Sequence, residues 1–130
     1  MVAEYEEHSD GKPISYKIIG AAIEVHRMLG AGLLESVYED ALCIELDLQS
    51  ISYERQETID LEYKGKRIGN LVADLIVENS VVVELKSVQA LERIHTAQVL
   101  TYLKLTNLRT GLLINFNVTV LKDGIRRVVL

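Results

Sequence analysis

Asp74 and the run Glu84-Leu85-Lys86 are the residues here whose types and spacing suit chemistry, because each interrupts strongly apolar sequence. Asp74 falls within Leu71 to Val77, and Glu84 follows Val81-Val82-Val83. Burying such charges without partners costs roughly several kcal/mol or more, so a counter-charge is required. If the chain folds back around Glu78-Asn79-Ser80, Asp74 lies opposite Glu84 or one pair away, and the two carboxylates meet. Side chains alternate along a strand, which puts Glu84 and Lys86 on one face and Val83 and Leu85 on the other. Paired carboxylates suit a hard divalent cation, Mg²⁺ or Mn²⁺, which takes oxygen ligands. Lys86 is then placed to orient a water and to offset charge developing on a phosphate.

The elements that must position these groups follow from periodicity. Residues 1–12 are polar and Glu-rich, the pattern of an acidic tail, and residues 13–130 read as a single domain. Pro13 suits the first turn of a helix. Ile14, Ile18, Ala21, Ala22, Val25, Met28 and Leu29 recur at helical spacing up to Gly30 and Gly32. Leu34, Val37, Tyr38, Ala41, Leu42, Glu45 and Leu48 mark a second helix ending near Gln49. From Ile51 the period falls toward two. Ile59, Leu61 and Tyr63 alternate with polar residues, Lys64-Gly65-Lys66 signals a turn, and Arg67 to Val77 and Val81 to Ser87 follow as strands of an antiparallel meander.

Helical spacing returns over 91–107, through Leu91, Ile94, Ala97, Gln98, Leu100 or Thr101, and Leu105. Gly111 to Phe116 is a buried strand, and Val118 to Leu121 and Ile125 to Val129 flank an Asp123-Gly124 turn. A strand passing through a helix to another strand favours a right-handed crossover and a parallel pair. The expected class is α/β (α+β): a mixed sheet with packed helices, in the order helix, helix, three strands, helix, strand, with a C-terminal strand or hairpin.

Composition narrows the function. The 130 residues are 48% hydrophobic with a formal charge of −5, which disfavours binding nucleic acid by bulk electrostatics. Candidates for a local basic rim are Lys64, Lys66 and Arg67 in one turn and Arg126 with Arg127 near the C-terminus, although solvated turn and strand-end charges are the plainer reading of each. No apolar stretch is long enough to span a bilayer and no signal-peptide pattern is present, so the expectation is a cytoplasmic protein. The one cysteine, Cys43, reads as a small buried hydrophobe.

Asp74 followed by Glu84-Leu85-Lys86, with the element order above, resembles the PD-(D/E)xK nuclease superfamily; Ala73 stands where proline often precedes the first acid. Gly32-Leu33-Leu34-Glu35-Ser36-Val37-Tyr38 fits GxxExxY, the pattern of a small family of single-domain proteins placed in that superfamily. Gln98-Val99-Leu100-Thr101-Tyr102 resembles the QxxxY motif of its RecB-like members. The resemblance implies a restriction-endonuclease-like sheet and metal-dependent hydrolysis of nucleic acid, with DNA as the substrate. It implies Asp74 and Glu84 as metal ligands, with the Leu85 carbonyl and a carboxylate from the first helical region, here Glu35, added to them. Gln98 and Tyr102 would hold a nucleotide or Lys86. It also suggests a homodimer, for which the C-terminal hairpin offers an edge.

Each assignment competes with a plainer one. Glu35 equally suits the first turn of a helix, where negative charge is favoured. Tyr38 reads as core ahead of catalysis. Gln98 and Tyr102 lie one turn apart and would also serve as a helix pair packed on the sheet. His26 and His95 read as ordinary hydrogen-bond partners. At the level of function, the alternatives are a catalytically silent nuclease fold that binds nucleic acid or protein, and a buried ion-pair network of Asp74, Glu84 and Lys86.

Overall fold

The computed structural model describes residues 12–130; residues 1–11 of the expected tail lie outside the described residues. Helix α1 (Ile14–Leu29) begins directly after Pro13 and ends at Gly30, whose N–H bonds the His26 carbonyl. Helix α2 (Glu35–Leu48) follows. Strands β1 (Tyr53–Tyr63), β2 (Lys66–Val77) and β3 (Val81–Lys86) form the meander. Helix α3 (Arg93–Thr106) crosses over to β4 (Thr110–Asn115), and a short 3₁₀ turn leads into β5 (Ile125–Val129).

The five strands form one sheet in the order β1-β2-β3-β4-β5. All neighbours are antiparallel except β3 and β4, the parallel pair that the crossover predicts. Each sheet face carries a separate core. Val81, Val83, Leu85, Leu112, Ile114 and Phe116 pack with α1 and α2, while Val82, Leu113 and Val128 pack with Val99, Tyr102 and Leu103 of α3. Alternation along β3 therefore turns Glu84 and Lys86 to the α3 side.

Four expectations change. The segment Val118 to Leu121 is not a strand, so the C-terminus is a single strand paired with β4. Gly124 suits the turn there, since a Cβ on it would collide with the Asn115 carbonyl oxygen. The buried stripe of α2 is Tyr38, Glu39, Leu42, Cys43 and Leu46, leaving Leu34 and Leu48 more than 70% exposed. Two apolar stripes compete on that helix. Tyr38 and Leu42 belong to both, Tyr38 stacking on Phe116 with centroids 4.4 Å apart, and Glu39, Cys43 and Leu46 complete the buried one. In α3 the stripe is likewise Val99, Tyr102 and Leu103, with Ile94 and Leu105 exposed, and in α1 Met28 and Leu29 lie outside the core.

Candidate active site

β2 and β3 pair as a regular ladder only at Val77↔Val81, Ile76↔Val82 and Leu75↔Val83. At the next step, Asp74 and Glu84, side chains replace the ladder. The Asp74 N–H donates to Glu84 Oε1 at 2.9 Å, and the Leu85 N–H donates to Asp74 Oδ2 at 2.9 Å. Each carboxylate thus takes a main-chain donor that a sheet partner would otherwise have received. The two strands separate here, and the carboxylates stand at the opening.

Asp74 also marks a change of phase. Leu75 and Val77 belong to the core under α1 and α2, whereas Ala73 joins the core under α3 beside Ile59 and Leu71. Strict alternation would have kept Ala73 with Leu75. The reversal lets β2 leave β3 and continue with β1 as a two-stranded ribbon out to Lys64 and Gly65.

The site is electrostatically strained. Glu84 is 4% exposed, and burial, followed by the charge of Asp74, pushes its carboxyl up to about 8. Asp74, half-buried, is also raised, mainly by burial; the Leu85 N–H and Gln56 oppose that rise. Lys86 favours the charged form of both. Among the described residues, however, Lys86 forms no ion pair within 4 Å, which removes the buried ion-pair network as an account of the three charges.

Glu35 opens α2 and is exposed. Its charge raises both Asp74 and Glu84, and it lines a cleft of about 360 Å³ with Leu33, Leu34, Ser36 and Ser87. Among the described residues no three acidic, histidine or cysteine groups are gathered closely enough to hold a metal ion by themselves. The oxygen donors brought together are the two carboxylates. The Leu85 carbonyl, in an extended residue, is directed to the same side as the N–H that reaches Asp74. This all-oxygen, partly open set fits a cation of the Mg²⁺ type, which retains several waters, and such an ion would favour the ionised forms that burial opposes at both carboxyls.

Tyr102 donates to the Val72 carbonyl at 3.2 Å and is 3% exposed. Burial, then the charges of Glu84 and Asp74, pushes its hydroxyl up to about 12. It fastens α3 to β2 close to the carboxylates. Gln98 lies half-buried one turn earlier on α3. Tyr38 is structural: its hydroxyl donates to the Gly30 carbonyl at 2.6 Å and accepts from the Leu33 N–H at 3.1 Å, closing the α1–α2 loop. His26 bonds the Val118 carbonyl and His95 accepts from the Glu92 N–H. Arg126 binds the Glu92 and Leu91 carbonyls and Thr96, and Arg127 donates to Ser15 Oγ. Both arginines therefore hold the fold together. Burial raises the Cys43 thiol, in keeping with an unreactive core position.

Two residues around Asp74 escape sequence reasoning: Gln56 of β1, and Glu39 of α2, which is 8% exposed. The signal for Glu39 is its place in the Tyr38, Leu42, Cys43, Leu46 stripe, where a charge needs a partner. Gln56 carries no such signal.

The chain belongs to the PD-(D/E)XK nuclease superfamily, whose family model matches residues 12–128. Members of this superfamily generally use divalent metal ions, and the mixed five-stranded sheet with its helices is of the restriction-endonuclease-like kind. No significant match is found among the curated proteins or the solved structures. No helix among the described residues is long and apolar enough to cross a membrane.

Proposed function

We propose that this protein hydrolyses phosphodiester bonds of nucleic acid, with DNA as substrate and Mg²⁺ or Mn²⁺ as the metal. The observation that carries the reading is the break in the β2–β3 ladder, where Asp74 and Glu84 stand together in a chain of a nuclease superfamily. Asp74, Glu84 and the Leu85 carbonyl would hold the ion, with Glu35 at the rim. A divalent ion there supplies Lewis-acid stabilisation of the phosphoryl oxygens and a nucleophile at neutral pH. Lys86 lies on the same face as Glu84 and carries a positive charge toward the scissile phosphate, orienting the attacking water. Gln98 and Tyr102 bound the site from α3, Tyr102 by fixing β2 and Gln98 by offering an amide to the nucleotide. The GxxExxY pattern and the RecB-like Gln98–Tyr102 spacing support the same reading. Two copies joined along the outer edge of β5 would present two sites to a duplex, and sedimentation would show the dimer.

The test is cleavage of single- and double-stranded DNA and RNA with and without Mg²⁺ or Mn²⁺, comparing the wild type with Asp74→Asn. The reading expects metal-dependent cleavage that the variant loses. A second reading, a silent nuclease fold that binds without cutting, is favoured by the absence of a third gathered carboxylate among the described residues. It expects nucleic-acid binding that neither metal nor Asp74→Asn alters.

A further inference from the structure

Asp74 is held from two sides. Towards β3 it accepts from Leu85; towards β1 it faces Gln56, whose Nε2 donates to Asp74 Oδ1 at 3.3 Å and to Glu39 Oε1 at 2.9 Å. The other Glu39 oxygen accepts from Arg55 Nε at 2.7 Å, and Arg55 also pairs with Asp40. Of the two ends of the Gln56 amide only the nitrogen donates, so its contacts with two carboxylates fix which way the amide points.

The backbone is bent to make this possible. Consecutive strand residues point to opposite faces, so Arg55 and Gln56 could not both reach Glu39 from a regular strand. Gln56 has φ +51°, in the left-handed region. The register is unchanged on either side, Arg55↔Leu75 and Glu57↔Ala73, but Gln56 and Asp74 make no ladder pair. Six described non-glycine residues have positive φ, and Gln56 is the one that lies inside a strand; the others sit in turns or at helix ends. Such a departure persists where surrounding contacts enforce it, and it clusters at functional sites.

We propose that Gln56 is a positioning residue: clamped by Glu39, its amide holds the Asp74 carboxylate turned toward Leu85 and Glu84. This inference rests on the metal site of the proposed function. A neutral donor suits the task, because it orients Asp74 without cancelling the negative charge that a cation would balance. Glu39 adds no uncompensated charge, since Arg55 neutralises it. Without the clamp, only the Leu85 N–H holds the Asp74 carboxylate, which is then free to rotate away.

The test compares the full-length wild type with Gln56→Ala and Gln56→Gly, the glycine variant removing the clamp while accommodating φ +51°. Amide hydrogen exchange is read at Leu85, whose N–H bonds Asp74, against Val83 in the regular ladder. Mn²⁺ affinity is read by calorimetry. Loss of a residue orienting a metal ligand is expected to weaken Mn²⁺ binding about tenfold in both variants. Leu85 exchange should accelerate about tenfold relative to Val83, a local change that global destabilisation does not produce. Leu85 keeping pace with Val83 in both variants overturns the inference, as does unchanged affinity in a chain that binds Mn²⁺. If the wild type binds no Mn²⁺, the proposed function falls, and the Leu85 to Val83 ratio still decides whether the clamp exists.

Discussion

The two ends of β3 differ in what completes them. Val81, Val82 and Val83 are fully buried, paired with β2 on one side and β4 on the other. From Glu84 to Lys86 the pairing with β4 continues, but towards β2 the ladder gives way to carboxylates that accept main-chain N–H groups. One end satisfies its backbone with backbone and its side chains with hydrocarbon. The other meets β2 through two acidic side chains, Glu84 accepting from the Asp74 N–H and Asp74 from the Leu85 N–H. The same six residues thus anchor the fold and hold open a charged gap, and stability and chemistry can be changed separately.

The largest effect belongs to the regular end. Leu112 is fully buried and faces Val83 across the parallel pair, so Leu112→Ala should cost roughly 2–5 kcal/mol in urea unfolding, with Mn²⁺ affinity unchanged while the protein is folded.

At the other end the sign reverses. The folded Glu84 carboxyl titrates near 8 against an ordinary 4.5, so the folded chain binds the proton more tightly than the unfolded chain. That stability is complete below about 4.5 and is lost as pH rises through about 8. Glu84→Gln should therefore match the wild type near pH 4 and exceed it at pH 9, by on the order of a few kcal/mol. Thermal unfolding at the two pH values reads this directly. The raised Asp74 carboxyl adds to the same slope.

The two motif tyrosines sharpen the contrast by smaller amounts. Tyr38→Phe removes a hydroxyl that bridges Gly30 and Leu33 and should cost about 1–3 kcal/mol through the loss of two hydrogen bonds. Tyr102→Phe loses one bond to Val72 and should cost about 1 kcal/mol. If Tyr102 acts only by fastening β2, metal-dependent cleavage survives Tyr102→Phe; loss of cleavage in a stable variant would make it a catalytic residue.

Asp74, Glu84 and Lys86 were legible because charges that interrupt valine-rich runs stand out, and the turn at Glu78-Asn79-Ser80 sets their register. The parallel β3–β4 pair followed from the intervening helix. The helix faces were not, since α2 and α3 each carry two apolar stripes and periodicity cannot say which one the sheet selects. Gln56 and Glu39 were hidden for a different reason: their contact spans 17 residues of sequence and depends on a left-handed glutamine that no turn signal marks. Arg126 and Arg127 looked like a basic rim because sequence shows charge without showing the carbonyls and the serine that occupy it.

The most direct test of the central claim, that the gap at Asp74 and Glu84 is a divalent-cation site, is Mn²⁺ titration by calorimetry at pH 7 in two buffers of different ionisation enthalpy. Because Glu84 is protonated below about 8, the wild type should bind Mn²⁺ with release of about one proton, and Glu84→Gln should bind far more weakly and release none. Equal affinity in the two proteins, or no binding by the wild type, would contradict the account.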